Sequence, residues 1–162
     1  MPKNEYKYAN VGNNYFIKLS GELKYTECTS FSSFINKLEK NSDYNDILVD
    51  LSESIYLDST NLGLLAKISQ LVLDKYNHRL TVISTNPDVT ELLRNIGFED
   101  ICLLIEESPI SDAAYNKIMG MNEAEESMAK MMLEAHRQLM NMNEKNREEF
   151  NNVVELMERQ IK

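Results

Sequence analysis

Hydrophobic and polar residues follow two periods along the first 118 residues, and each change of period predicts the boundary of an element. Alternation at every second position is typical of strands, and apolar residues at every third or fourth position are typical of helices. Strand patterns or short buried-strand runs occupy five segments: 5–10, 15–23, 46–51, 79–85 and 99–107. Helical patterns occupy four segments: 26–40, 61–76, 86–98 and 108–118. The predicted order is therefore ββαβαβαβα.

Residues that begin and end helices support these segments. Pro87 follows Asn86 in the first turn of its helix, and Gly97 stands at the other end. In the last helical segment, Ser108 is placed to cap the helix and Pro109 follows just inside.

Strands that alternate with helices predict an α/β fold with a mostly parallel sheet of four to five strands and right-handed crossovers. Ligand or partner sites in such folds lie at the carboxyl ends of the strands, where loops lead into helices. The segment "SIYLDSTNLGLLAKI" (54–68) is predicted to lie at this edge.

The chain changes character near residue 110, which predicts a domain at 1–118 and a helical extension at 119–162. The last proline is Pro109 and the last glycine is Gly120, and every methionine after Met1 lies at or beyond Met119. Apolar residues recur there at spacings of three and four: Met121, Ala124, Met128, Met131, Ala135, Leu139 and Met142. After a polar stretch the pattern resumes at Phe150, Val153, Met157 and Ile161.

Two forms of this extension fit the pattern. An unbroken helix of forty residues would be a rod of about 60 Å, whereas a hinge near residues 141–146 would give a helical hairpin. The apolar stripe could pack against the helices of the domain, or it could serve self-association or a further partner. Metal binding by these methionines with His136 is disfavoured, because the cluster lacks further His or Cys ligands.

The composition of the chain argues against some classes of binding partner. The formal net charge is −9 and no cluster of Lys and Arg occurs, which argues against nucleic acid and anionic membrane surfaces. No apolar run approaches the ~20 residues of a membrane span, and "MPKNEYKYAN" has no apolar signal core. We therefore expect a cytoplasmic protein. Cys28 and Cys102 stand outside any metal-ligand spacing, and both are expected to be reduced and buried.

Three short polar residues, Asp58, Ser59 and Thr60, stand where a strand ends and a helix begins. One of them is explained by helix capping, because a side-chain oxygen satisfies amides of the first turn. Capping does not explain all three, nor the glycine at position 63, since glycine costs about 1 kcal/mol within a helix. The residues alone leave two interpretations open, a helix cap and a hydroxyl presented to a partner.

Enzymatic function is not expected. The sequence has neither of the glycine-rich nucleotide motifs, and Ser59 is not in a G-x-S-x-G motif. The two histidines, His78 and His136, are predicted to be exposed, and His78 should lie at the far end of the helix that Ser59 begins. Neither is a convincing base for Ser59. We therefore predict no catalytic residues, metal or cofactor.

The chain resembles the STAS domain family, the anti-anti-sigma-factor domains of bacterial partner-switching systems. "DILVDLSESIYLDSTNLGLLAKI" (46–68) is similar to the strand, loop and D-S-[ST]-x-L-G helix start of the family. "LSGELK" (19–24) is similar to its G-E-L-D turn, and "NPDVTELLRNIGFEDI" (86–101) to its P-x-V-x-x-[LF]-[LF]-x-x-x-G-[LF] helix. The resemblance covers about residues 5–118.

This resemblance implies an anti-sigma-factor antagonist whose phosphorylated residue is Ser59, with Thr60 as the alternative acceptor. The kinase would be an anti-sigma factor of the GHKL type, and a PP2C-like phosphatase would reverse the modification. The unmodified form would bind the kinase through residues at this junction and the neighbouring turn: Glu22, Lys24, Asp58, Ser59, Thr60, Asn61, Leu62 and Gly63. Other members of the family are stressosome scaffolds, lipid-transport accessories or small-ligand domains, so a scaffold or accessory role without a regulated phosphate is the alternative.

Two positions depart from the family pattern. Asn61 stands where the family usually has glycine, so a partner that needs close approach there is expected to meet a side chain. Lys24 stands where the turn has an acid, and this reversal of charge bears on the identity of the partner.

Overall fold

A six-stranded sheet organises the chain. The computed structural model describes residues 3–41, 43–107, 115–118 and 125–161, with the side chains of 125–127 outside this description. The strands are β1 (Glu5–Val11), β2 (Asn14–Leu23), β3 (Asp46–Leu57), β4 (Leu80–Ile83), β5 (Cys102–Ile105) and β6 (Asn116–Lys117). Their order across the sheet is β5-β4-β3-β2-β1-β6.

The central part of the sheet is parallel, as predicted. Strands β2, β3, β4 and β5 pair in parallel, whereas β1 joins β2 and β6 joins β1 in antiparallel fashion. The crossover helices are α1 (Thr29–Lys40), α2 (Ser59–Tyr76) and α3 (Pro87–Ile96). Each crossover leads to the next strand in the same direction, so right-handed connections place all three helices on one face. The predicted α/β fold class is confirmed.

The sheet gains a strand that the sequence pattern did not predict. Asn116 and Lys117, which lie inside the segment predicted as a helix at 108–118, pair with Tyr8 and Lys7. The prediction of helix for these two residues is wrong, because backbone pairing with the exposed edge of β1 decides their conformation. The predicted cap Ser108 and the following Pro109 lie outside the described residues.

Helix α3 begins and ends as predicted. The Asn86 side chain accepts a hydrogen bond from the Asp88 amide at 3.0 Å, and Pro87 occupies the first turn. Gly97 ends the helix at φ +107°, in the left-handed region that glycine adopts without a Cβ penalty. A short 3-10 turn over Phe98–Asp100 follows, which is why β5 starts only at Cys102.

One hydrophobic core lies between the sheet and the helices. Aromatic residues of β1 pack on α1, with ring centroids 4.9 Å apart for Tyr6 and Phe31 and 5.0 Å apart for Tyr8 and Phe34. Cys28 and Cys102 are buried and unbridged, which confirms the prediction for both thiols.

The C-terminal extension is a helical hairpin made of α4 (Glu125–Met140) and α5 (Glu144–Ile161). Asn143 caps α5, because its side-chain oxygen accepts from the Asn146 amide at 2.8 Å. The break therefore lies within the hinge region predicted from the sequence. Helix α4 packs against α2 and α5 packs against α4. Met131 and Leu139 of α4 belong to the core, so these positions of the stripe pack against the domain. Met121 and Ala124 of the predicted stripe lie outside the described residues. The domain boundary at residue 118 stays a prediction.

Side chains of the hairpin turn attach to the end of α3. The Asn143 and Asn146 side-chain amides both donate to the Ile96 carbonyl, at 3.0 and 2.9 Å. The Lys145 ammonium donates to the Asn95 carbonyl at 3.0 Å. These bonds satisfy carbonyls that the end of a helix leaves without intrahelical partners.

Candidate functional site

Asp58 is the N-cap of α2, and its carboxylate holds three groups. One oxygen accepts from the Asn61 backbone amide at 3.0 Å and from the Asn61 side-chain amide at 2.9 Å. The other accepts from the Tyr25 amide at 2.6 Å. The Asp58 amide in turn donates to the Leu23 carbonyl at 3.0 Å. The predicted cap is confirmed, and it also fixes the turn after β2 beside the start of α2.

Asn61 faces the interior of the protein. Its side chain is 0% exposed, and the Tyr6 hydroxyl donates to its carbonyl oxygen at 2.6 Å. Burial raises the pKa of Tyr6, and the nearby Cys28 and Asp58 add to this rise, so the hydroxyl remains a donor. The expectation that a partner meets the Asn61 side chain is wrong for this conformation, because β1 and Asp58 engage it from inside.

The two candidate hydroxyls differ in access. The Thr60 residue is 2% exposed and turns into the protein, whereas Ser59 is partly exposed at the start of α2. Of the two candidate acceptors, Ser59 is therefore the one that lies near the surface.

The Ser59 hydroxyl contacts a histidine of the hairpin. Its Oγ lies 2.8 Å from Nε2 of His136, and Nδ1 of the same ring lies 2.6 Å from the Met132 carbonyl oxygen. Because a carbonyl oxygen can only accept, Nδ1 carries a proton. In the neutral ring Nε2 is then the acceptor, and the Ser59 hydroxyl donates to it.

The prediction that His136 is exposed is wrong. The residue is 4% exposed, and its ring packs edge-on against Phe150 of α5 with centroids 5.7 Å apart. His136 directly follows Ala135 of the apolar stripe. Its position beside the stripe could have indicated that the ring faces the protein interior. His78 is exposed at the far end of α2, as predicted.

The Ser59 and His136 pair has the first contact of a Ser-His-Asp triad and lacks the usual third partner. Where a triad places a carboxylate on Nδ1, His136 has the Met132 carbonyl. The Asp58 carboxylate is committed to the cap. This arrangement orients the Ser59 hydroxyl and joins the start of α2 to α4.

Helix α4 covers the first turns of α2 at backbone distance. A Cβ added at Gly63 would overlap the Ala135 carbonyl, so the glycine permits a close approach of the two helices. Leu62 is buried beside it. One turn further, the buried Lys67 ammonium donates to Asn36 of α1 at 2.7 Å and to Glu134 of α4 at 2.6 Å. The unexpected glycine thus has a packing reason.

The turn after β2 places exposed side chains beside Asp58. Glu22 and Lys24 are exposed and form an ion pair of 3.6 Å with each other. Tyr25 and Tyr56 flank the cap and are 41% and 48% exposed. Neither tyrosine was predicted from the sequence as a site residue. The available signal was the position of Tyr56, two residues before Asp58 on a strand, where alternation turns it away from buried Leu57. We call Glu22, Lys24, Tyr25 and Tyr56 the exposed edge.

Cys28 lies beneath α4 at the same end of the fold. Its sulfur is 3.9 Å from the Met131 sulfur. Burial, with a smaller contribution from the Asp58 carboxylate, raises the pKa of the Cys28 thiol to about 12. The thiol is therefore neutral and unreactive while α4 is docked.

The described residues offer no metal cluster and no membrane-spanning helix. Among the described residues, no group of three or more His, Cys, Asp and Glu side chains could hold a metal ion. No helix within the described ranges is long and apolar enough to cross a membrane.

Comparison with known families agrees with this geometry. A profile of the STAS domain matches residues 6–112, about two thirds of the chain. A comparison with curated proteins finds no match. STAS domains are generally binding and regulatory domains rather than enzymes. With its strand order and the helix start at Asp58 added to this match, the chain belongs to the STAS domain family.

Proposed function

We propose that this protein is an anti-sigma-factor antagonist of the partner-switching kind. Its unmodified form binds an anti-sigma factor that is also a GHKL-type serine kinase, and phosphorylation of Ser59 ends this binding. A PP2C-like phosphatase restores the unmodified form. The observation that carries the proposal is the position of Ser59, a partly exposed residue in the first turn of α2 directly after the Asp58 cap.

The choice of Ser59 as the acceptor follows from burial. Thr60, the alternative acceptor, turns its side chain into the protein, and a kinase would have to unwind the first turn of α2 to reach it. Ser59 has a partly exposed side chain, and its backbone belongs to a helix start that tolerates negative charge.

A phosphate at Ser59 would change the surface without unfolding the domain. It adds about −1.5 to −2 charges beside Asp58. The free amides of the first turn accommodate an anion, whereas a partner that packs on this surface meets bulk and repulsion. A loss of about 3 kcal/mol in binding free energy weakens the affinity about a hundredfold.

Some of the residues predicted to contact the partner are exposed to solvent, and others are buried in this conformation. The exposed edge, with Asp58 and Ser59 beside it, is open and includes the two aromatic side chains, a residue type enriched at binding hot spots. The other predicted contact residues are covered by the rest of the chain in this conformation: Thr60, Asn61, Leu62 and Gly63. We propose that the partner contacts the exposed edge first.

The experiment is an affinity pull-down from the native cell with full-length baits, read by mass spectrometry. Ser59→Ala should retain a GHKL-type kinase or an anti-sigma factor, because it keeps an uncharged surface. Ser59→Asp should lose the same protein, since it places a charge there. Ser59→Asn is the matched control, with nearly the shape of the Asp variant and no charge, and it should bind like Ser59→Ala.

Retention of the same proteins by all three baits would contradict the proposal. Ser59 would then be a residue of the helix start without a switching role. Circular dichroism of each bait checks that a loss of binding does not come from unfolding.

A second function, a STAS scaffold or accessory protein without a regulated phosphate, is supported by one observation. The first turns of α2 are covered by α4, and a scaffold can use such a hairpin as an assembly element. In that case the protein purified from cells carries no phosphate on Ser59, and it elutes as an assembly in size-exclusion chromatography.

A further inference from the structure

The contact between Ser59 and His136 connects the proposed modification site to the hairpin. The two residues are 77 positions apart in the chain, and their side chains meet at 2.8 Å where the first turn of α2 faces α4. The ring of His136 cannot simply swing away, because Nδ1 is bonded to the Met132 carbonyl and Phe150 packs against the ring in an edge-on arrangement. A change at the Ser59 oxygen is therefore transmitted to the whole of helix α4.

A phosphate does not fit into this contact. The distance of 2.8 Å between Oγ and Nε2 is filled by the shared hydrogen atom. Kinase transfer of the γ-phosphoryl group of a nucleoside triphosphate forms the Oγ–P bond and breaks the bond to the diphosphate leaving group. The hydroxyl proton passes to a base of the kinase. Ser59 then has no proton to donate, and either the phosphate pushes α4 away or the side chain rotates and gives up the contact.

The hairpin has a separate attachment at its turn. The turn between α4 and α5 is bonded to the end of α3 through Asn143, Lys145 and Asn146. Loss of the Ser59 contact leaves these bonds in place. The part of α4 around Met131 and Ala135 can move away from α2 while the turn stays attached, and this movement also opens the Lys67 ion pair to Glu134 and the packing at Gly63.

We propose that phosphorylation of Ser59 undocks α4 from α2. This inference rests on the proposed phosphorylation of Ser59. It gives the modification a second consequence besides blocking the exposed edge. In the unmodified protein the apolar side chains of α4 are packed on the domain, and in the phosphorylated protein α4 and the covered residues of α2 become accessible. The unmodified and the phosphorylated protein therefore expose different surfaces, and a partner can distinguish the two forms by the position of α4.

The two native cysteines provide a matched pair of reporters. Cys28 lies under α4, next to Met131, and becomes accessible when α4 moves. Cys102 lies under α2, where its sulfur is 3.7 Å from the Ser69 hydroxyl, and it is expected to stay covered while α2 and the hairpin turn remain in place. Labelling of Cys28 relative to Cys102 therefore reports undocking and separates it from global unfolding.

The experiment measures the rates at which N-ethylmaleimide modifies the two cysteines in the full-length protein, by peptide mass spectrometry. Phosphoserine is placed at position 59 during translation, so that the kinase need not be known. Phosphoserine at position 85 is the matched control, because Thr85 is exposed at the same edge of the sheet and is not bonded to the hairpin in the described contacts. Ser59→Ala removes the hydrogen bond without adding charge.

With phosphoserine at position 59, Cys28 should react about tenfold faster while Cys102 is unchanged, which corresponds to the loss of one buried hydrogen bond. Ser59→Ala should give a smaller rise in the same direction, and phosphoserine at position 85 should give none. The proposal is overturned if phosphoserine at position 59 leaves Cys28 protected, or if both cysteines become reactive together. The pull-down is independent of this result, so a failure of undocking and a failure of partner switching are distinguishable.

Discussion

At the scale of single residues, the junction after β3 is a network in which each short polar side chain has its own neighbour. Asp58 caps α2, Asn61 joins this cap to β1, and Thr60 is buried. Ser59 is partly exposed, and its hydroxyl contacts His136 of the hairpin. The answer to why three short polar residues stand in a row is therefore that each has a different neighbour.

The first residue-scale prediction concerns Asn61. Asn61→Ala leaves the buried Tyr6 hydroxyl without this acceptor and removes one donor from Asp58, so we expect a loss of about 2 kcal/mol in the free energy of unfolding. Tyr6→Phe removes only the hydroxyl and should cost about 1 kcal/mol. Urea denaturation of both variants and of Asn141→Ala, an exposed asparagine as control, measures these changes. An unchanged free energy of unfolding for Asn61→Ala would contradict the role of Asn61 in this hydrogen-bond network.

The second residue-scale prediction concerns the free energy of unfolding at alkaline pH. Burial raises the pKa of Cys28 from 9.0 to about 12 and that of Cys102 from 9.0 to about 11. The unfolded chain therefore ionises both thiols at a pH where the folded chain keeps them neutral. Keeping both thiols protonated in the folded chain contributes fully to the free energy of unfolding below pH 9. This contribution is lost as the pH rises above the pKa of the thiols in the unfolded chain. Between pH 9 and 11 each thiol should lower the free energy of unfolding by about 1.4 kcal/mol per pH unit.

Urea denaturation at several pH values between 8 and 11 tests this prediction. The Cys28→Ala and Cys102→Ala double variant should show a shallower decline across the same window. Equal slopes for the variant and the native chain would show that the thiols do not control this dependence.

At the scale of elements, the sequence predicted most of the fold because the local signals are strong. The turn residues Asn86, Pro87 and Gly97 fixed α3, and the alternation of strands and helices fixed the parallel sheet. Strand β6 was missed because two residues carry no period, and their conformation comes from pairing with β1. The docking of α4 could not be predicted, because an apolar stripe does not specify which surface it covers.

The contact between α2 and α4 gives the element-scale prediction. Gly63→Ala adds a methyl group that would overlap the Ala135 backbone, which cannot move without shifting α4. We expect a loss of about 2 kcal/mol in the free energy of unfolding and faster labelling of Cys28. Gln70→Ala on an exposed position of the same helix is the control and should change neither. An unchanged stability of Gly63→Ala would mean that the two helices are not in close contact.

At the scale of the whole molecule, two groups of contacts attach the hairpin to the STAS domain. The first joins α4 to the domain through the Ser59 and His136 hydrogen bond, the Lys67 ion pair to Glu134 and the close packing at Gly63. The second is the hairpin turn at the end of α3. The first attachment contains the proposed switch and the second does not. Modification at a single hydroxyl is therefore expected to reposition a large part of the chain without detaching it.

The whole-molecule prediction tests the second attachment. Asn146 is fully buried, and Asn146→Ala removes its bond to the Ile96 carbonyl, so the hairpin turn should open more often. Hydrogen exchange of α5 amides should become about tenfold faster while the amides of β3 stay protected. Asn151→Ala, on an exposed position of α5, is the matched control. Equal acceleration in β3 would mean that the hairpin and the domain open only together.

The central claim is that Ser59 is the residue that is modified, and phosphate mapping on the protein purified from its native cell tests it most directly. Quantitative mass spectrometry in growing and in stressed cells should find phosphate on Ser59, at an occupancy that differs between the two conditions. Thr60 should carry none, because its side chain is buried. An unmodified Ser59 in both conditions, or a phosphate on Thr60 instead, would contradict the account.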